Sequence, residues 1–191
     1  MKKFLIIVVA LACALTMFAC GEESTIDLSA FNNAANSSKP TAAVLNVGLE
    51  ATLGSLAANY NIAYAADGSA TVEYSREEFN TAGTSDSVKN TVTGSVNCDA
   101  SGKLADAAAF GIDTIPGTNF NFAADKMNNC TVNGNILSAV ISAGNTEAVL
   151  GANYGADVTI VYTINDGKVA SFALTYTTEV GTISIACAYT Y

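Results

Sequence analysis

From Asn59 to Tyr191 the chain alternates apolar and polar residues with a period of two, interrupted by Gly, Asn-Gly and Asp-Gly turn signals, which is the pattern of antiparallel strands. The first reversal is Ala66-Asp67-Gly68. A three-residue loop with Gly68 left-handed sets Ile62 opposite Val72 and Tyr60 opposite Tyr74, which keeps one face apolar. With Asn165-Asp166-Gly167 as a loop, Val158 faces Leu174 and Ile160 faces Phe172. The reversal Thr178-Glu179-Val180-Gly181 then sets Tyr176 opposite Ile183, Leu174 opposite Ile185 and Phe172 opposite Cys187. These strands share one apolar face and one small, polar face, as in a sheet covered on one side.

Other segments follow the same rule. Val88, Val92, Val96 and Cys98 line one side of a strand whose other side carries Lys89, Thr91, Thr93, Ser95 and Asn97. Phe120 and Phe122 open a further strand reaching Cys130 to Val132, and Asn133-Gly134 turns into Ile136 to Ile141. Two stretches read as helix. Leu45, Leu49, Leu53 and Leu56 recur at spacings of three and four behind Pro40, predicting a helix over 41–58. Residues 103–111, KLADAAAFG, predict a short second one. The expected fold is α+β or mainly β: an antiparallel, meander-rich curved sheet or partial barrel packed on one N-terminal helix. Its core would set Leu45, Leu49, Leu53 and Leu56 against Ile160, Phe172, Leu174, Ile183 and Ile185.

The N-terminal segment is different in kind. Lys2 and Lys3 precede the apolar run Phe4 to Phe18, and Ala19-Cys20-Gly21 closes it. A basic start, an apolar stretch and a small residue at the cut form the layout of a secretory signal. The run is shorter than the about 20 residues a transmembrane helix needs. Met17-Phe18-Ala19-Cys20 resembles the lipobox of bacterial lipoproteins, with Met17 where Leu is usual and the bulky Phe18 where a small residue is usual. Two other cuts lie in the same run: Cys13 after Ala10-Leu11-Ala12, and the small-x-small site Ala12-Cys13-Ala14. The resemblance implies removal of residues 1–19, lipidation of Cys20 with palmitate-type chains, and attachment to a membrane of the cell envelope. Since Gly21 rather than Asp follows the cysteine, it implies the outer membrane where the organism has two. At about 0.8 kcal/mol per buried methylene, two or three chains hold a protein on its bilayer where one binds only reversibly. Residues 20–40, polar and without periodicity, read as the lipidated cysteine and a flexible tether, and residues 41–191 as a single globular domain.

Charge and composition narrow the chemistry. Without residues 1–19 the chain keeps 6 basic and 17 acidic residues, a net −11. With no basic cluster to offset it, such a charge repels phosphate backbones, so no nucleic-acid partner is expected. The chain has no His and no Trp. Ser-His-Asp and Cys-His nucleophile systems are therefore excluded, and the commonest metal ligand is missing. No metal and no cofactor are expected. Glu77-Glu78, neighbours on a strand, point to opposite faces and cannot share an ion. Asp99-Ala100-Ser101-Gly102 reads as a turn. Of the three cysteines beyond Cys20, Cys187 reads as a buried small hydrophobe, and Cys98 with Cys130 is the favoured disulfide among three pairings. The tyrosines mostly share parity with the apolar faces, as core residues or as the walls of a groove under the sheet.

Together these readings describe a membrane-anchored cell-envelope lipoprotein with a non-enzymatic binding or structural role, its partners the membrane and a hydrophobic ligand or envelope protein. The alternatives are a carrier of hydrophobic molecules, or a hydrolase acting on envelope polymers through a carboxylate pair or a Ser/Lys arrangement.

Overall fold

The computed structural model describes residues 26–52, 54–79 and 89–191. The described residues open with a helix, α1 (Ser29–Ser37), and among them follow nine strands: β1 (Ala42–Ala51), β2 (Gly54–Tyr64), β3 (Ala70–Phe79), β4 (Lys89–Cys98), β5 (Met127–Asn133), β6 (Ile136–Ile141), β7 (Val158–Asn165), β8 (Lys168–Thr178) and β9 (Gly181–Thr190). A short helix, α2 (Thr146–Leu150), lies between β6 and β7. All nine strands form one antiparallel, curved and unclosed sheet in the order β4-β3-β2-β1-β9-β8-β7-β6-β5. The mainly β, antiparallel class expected from the alternating pattern is the class observed.

Two of the three hairpin registers agree with the apolar matching. Ile62 pairs with Val72 and Tyr60 with Tyr74. Tyr176 pairs with Ile183, Leu174 with Ile185 and Phe172 with Cys187. Between β7 and β8 the register is displaced by two: Ile160 pairs with Leu174 and Tyr162 with Phe172. Asp166 and Gly167, at φ 50° and 72°, make a two-residue turn that sets Asn165 opposite Lys168. A bulge beyond Ile164 then supplies the second offset. An offset of two preserves which face each side chain takes, so the core assignment survives the error.

The helix expected over 41–58 is replaced by the β1–β2 hairpin, with Leu49 opposite Leu56 and Leu45 opposite Tyr60. The buried residues there are Ala43, Leu45 and Val47, then Leu56, Ala58, Tyr60 and Ile62, each set at a spacing of two. The leucines alone imitate a helical stripe; counting the alanines and Val47 restores the strand period. Leu53 lies outside the described residues. The helix that does cover the sheet comes earlier, from residues read as tether: Leu28, Phe31, Ala34 and Ala35 are buried. α1 packs mainly on β8, and Ser38 beyond it accepts a hydrogen bond from Val169 N at 2.9 Å.

The covered face of the sheet forms one apolar cluster that includes Leu45, Val72, Ile160, Leu174 and Ile185, all at most 1% exposed. Cys187 is buried among them. On β4, Val92 and Val96 are half-buried and Cys98 buried, while Lys89, Thr91, Thr93, Ser95 and Asn97 are exposed, as the alternation requires; Val88 lies outside the described residues. No helix among the described residues is long and apolar enough to cross a membrane.

Candidate functional site

β4 and β5 are neighbours in strand order along the chain but occupy opposite edges of the sheet. The connection between them, residues 99–126, must therefore cross the whole covered face. It is far longer than the loops of about 4–6 residues that join most elements, and such segments commonly carry function. This strap has only two three-residue 3₁₀ turns, Ala105–Ala107 and Ala124–Lys126, and two isolated bridges, Lys103 with Thr114 and Ala109 with Ile112. The helix expected over 103–111 is absent, because Ala105 and Phe110 take positive φ of 46° and 54°, which ends any helical run. The strand expected from Phe120 starts only at Met127. Phe120 and Phe122 are buried instead, as plugs from the strap into the core.

The sheet holds the strap through its carbonyls. Tyr60 on β2 donates to Ala107 O at 2.9 Å, and Arg76 on β3 to Ala108 O at 2.6 Å. Tyr162 on β7 donates to Thr118 O at 3.4 Å. Tyr189 on β9 reaches both Pro116 O and Gly117 O at 3.1 Å. From the other side, Asn32 of α1 donates to Phe122 O at 2.9 Å and accepts from Phe122 N at 2.8 Å. Each bond satisfies a backbone group of the strap that no strand partner reaches, which a buried irregular segment requires. Three of the four sheet residues are tyrosines, so much of the aromatic signal in the sequence is explained by this clamping.

Where the strap, the end of α2 and the β8–β9 turn fail to meet, an open cleft of about 1060 Å³ remains. The strap contributes Phe110, Ile115 and Pro116; the segment after α2 contributes Tyr154; the sheet contributes Tyr176 and Ile183. Tyr154 and Tyr176 meet edge to face, ring centroids 4.9 Å apart at 68°. Burial, with Tyr176 alongside, pushes the Tyr154 phenol up to about 12, and burial raises that of Tyr176. Both are neutral donors at ordinary pH. Among the described residues the charged ones lining the cleft are Asp113 and Glu179, both solvent-exposed. Leu49, expected to pack from a helix onto the sheet, lies half-buried on β1, and Leu56 is buried; neither lines this cleft.

The chemistry sought elsewhere falls out differently. Cys20 lies outside the described residues. Cys98, Cys130 and Cys187 are free; Cys98 and Cys130 stand on opposite edge strands, so the favoured disulfide is not formed here. Burial raises all three thiols, that of Cys187 up to about 12, which opposes thiolate reactivity. Glu77 and Glu78 part as alternation demands: Glu77 accepts from Ala57 N and pairs with Lys89 at 3.3 Å, while Glu78 pairs with Arg76 at 2.9 Å. Asp99 accepts from Ser101 N at 2.9 Å, closing the expected turn. No group of three or more metal-type ligands gathers among the described residues.

No family model and no curated protein matches the chain. Among solved structures it is similar to a trans-AT PKS dehydratase domain from Brevibacillus brevis, at 11% identity and a TM-score of 0.20, over 96% of this chain and 81% of that one. A likeness that slight carries no argument about fold or activity.

Proposed function

We propose that this chain is a lipid-anchored cell-envelope protein that binds, without turning over, a molecule with an apolar body in the cleft between strap and sheet. The observation that carries this reading is the cleft, open to solvent and walled by Tyr154, Tyr176, Phe110 and Ile115. Ligand sites are concave, mostly apolar and equipped with a few polar groups, and this cleft has that constitution. Catalysis finds less support. A general-acid carboxyl sits in an apolar pocket, whereas both carboxylates of the cleft face solvent. A Ser/Lys arrangement would need a lysine beside Ser101, and no lysine among the described residues lines the cleft. Anchoring follows from Met17-Phe18-Ala19-Cys20, with the polar residues after Cys20 as a spacer that ends where α1 begins.

The neutral apolar dye Nile red tests the binding reading. Its emission should rise and shift to the blue on mixing with the wild-type protein. Tyr154→Ala, which removes one aromatic wall, should lose most of that signal while keeping the circular dichroism of the fold. Tyr191→Ala, outside the cleft, should keep it. A dye signal absent from wild type, or unchanged in Tyr154→Ala, would reject the cleft as a binding site.

A further inference from the structure

Resting on the reading of the cleft as a binding site, we infer that its ligand is an organic cation: an apolar or aromatic body bearing an ammonium or comparable head. The charge around the cleft is of one sign. Asp113 on the strap and Glu179 on the β8–β9 turn both line it, and no Lys or Arg among the described residues does. Three cations among the described residues are engaged elsewhere. Arg76 is bound to Ala108 O and Glu78, Lys89 to Glu77, and Lys168 sits 4.7 Å from the centre of the Tyr191 ring. The Lys103 charge helps hold the Asp99 carboxyl below the usual range, after the larger effect of the hydrogen bonds from Ser101.

An anion entering this cleft would leave water for two carboxylates and no counter-charge, inside a molecule that is acidic overall. A cation meets the opposite situation. One-signed walls focus the field of the whole protein and raise the local concentration of the complementary ion. The aromatic lining favours the same sign, because a cation is attracted to the face of a tyrosine or phenylalanine ring. In the edge-to-face pair of Tyr154 and Tyr176 one ring turns its edge to the other's face, so the two walls differ in orientation. Phe110 adds a third ring from the strap. Exposed carboxylates together with more buried rings in one cleft suit a molecule whose charged head stays in water.

Titration calorimetry on the full-length protein in a non-ionic amphipol tests this with three probes of similar size: benzyltrimethylammonium, benzyl alcohol and phenylmethanesulfonate. The cation should bind about tenfold tighter than the alcohol, from cation–π attraction plus the rim charges. The sulfonate should bind weakest. Raising salt toward about 1 M, where screening acts within about 3 Å, should narrow the gap. Glu179→Gln should weaken the cation two- to fivefold, about the worth of one exposed ion pair. Val180→Lys, at a turn residue 65% exposed and lining the rim, should weaken it further without disturbing the fold. Both variants should leave the alcohol within about twofold. The inference is overturned if the sulfonate binds as well as the cation, or if neither variant separates cation from alcohol. It is overturned too if none of the three binds while Nile red does. Loss of Nile red as well removes the binding reading itself.

Discussion

Phe120→Ala should destabilise the protein by about 3–5 kcal/mol, the range for emptying a buried aromatic site. Phe120 is 4% exposed and stands where the strap enters the core. Its ring lies 5.1 Å from that of Phe172, 5.5 Å from Tyr162 and 6.0 Å from Phe122, all at tilted or edge-on angles. Such pairs each add about 0.5–1.5 kcal/mol beyond burial, and one substitution removes three of them. The lost packing also frees the strap beside the cleft, which Phe120 lines. Urea unfolding followed by circular dichroism gives the cost directly. A shift below about 1 kcal/mol would mean that Phe120 is not the plug described, since surface substitutions cost only about 0.5 kcal/mol.

Gly181→Ala should cost about 2–4 kcal/mol, from a clash and from backbone strain together. Gly181 opens β9 at φ 147°, a conformation that residues with a side chain rarely adopt. A Cβ there would clash with Glu50 O and sit 2.9 Å from Glu50 C, so it meets backbone that cannot swing aside. The end of β1 and the start of β9 would have to separate where Glu50 pairs with Thr182. Gly134→Ala is the control. It too has positive φ, 56°, but nothing lies within 4 Å of an added Cβ, so only the left-handed penalty of about 1–2 kcal/mol applies. Comparison of the two thermal midpoints separates contact from conformation; equal midpoints would remove the close approach from the account.

The strands were legible because their signal is strong and local: alternation plus a turn residue specifies face and register at Gly68 and at the β8–β9 reversal. What misled at residues 41–58 was selective weighting. Four leucines at spacings of three and four outvoted Ala43, Val47 and Ala58, small residues that alternate yet contribute little hydrophobicity each. The same smallness hid α1. Leu28, Phe31, Ala35 and Ser38 recur at helical spacing, but the remaining Asn and Ser residues are poor helix formers, and only packing on β8 makes the helix stable. The strap was invisible for a different reason. Its shape is set by carbonyls gripped from Tyr60, Arg76, Tyr162 and Tyr189, residues distant in sequence. A pattern of period two at Phe120 and Phe122 then means burial without pairing. The cleft inherits this illegibility, because Asp113, Tyr154 and Glu179 converge only once the strap has crossed the sheet.

Envelope anchoring is decided by where the mature chain begins and what it carries there. Mass spectrometry of the N-terminal peptide, from protein extracted out of the membrane fraction of its native host, reads both at once. The account predicts a chain starting at Cys20 with thioether-linked diacylglycerol on Sγ, and its conversion by Cys20→Ala to a form lacking lipid. A wild-type chain recovered outside the membrane, cut after Ala14 or elsewhere and carrying no lipid on Cys20, would contradict it.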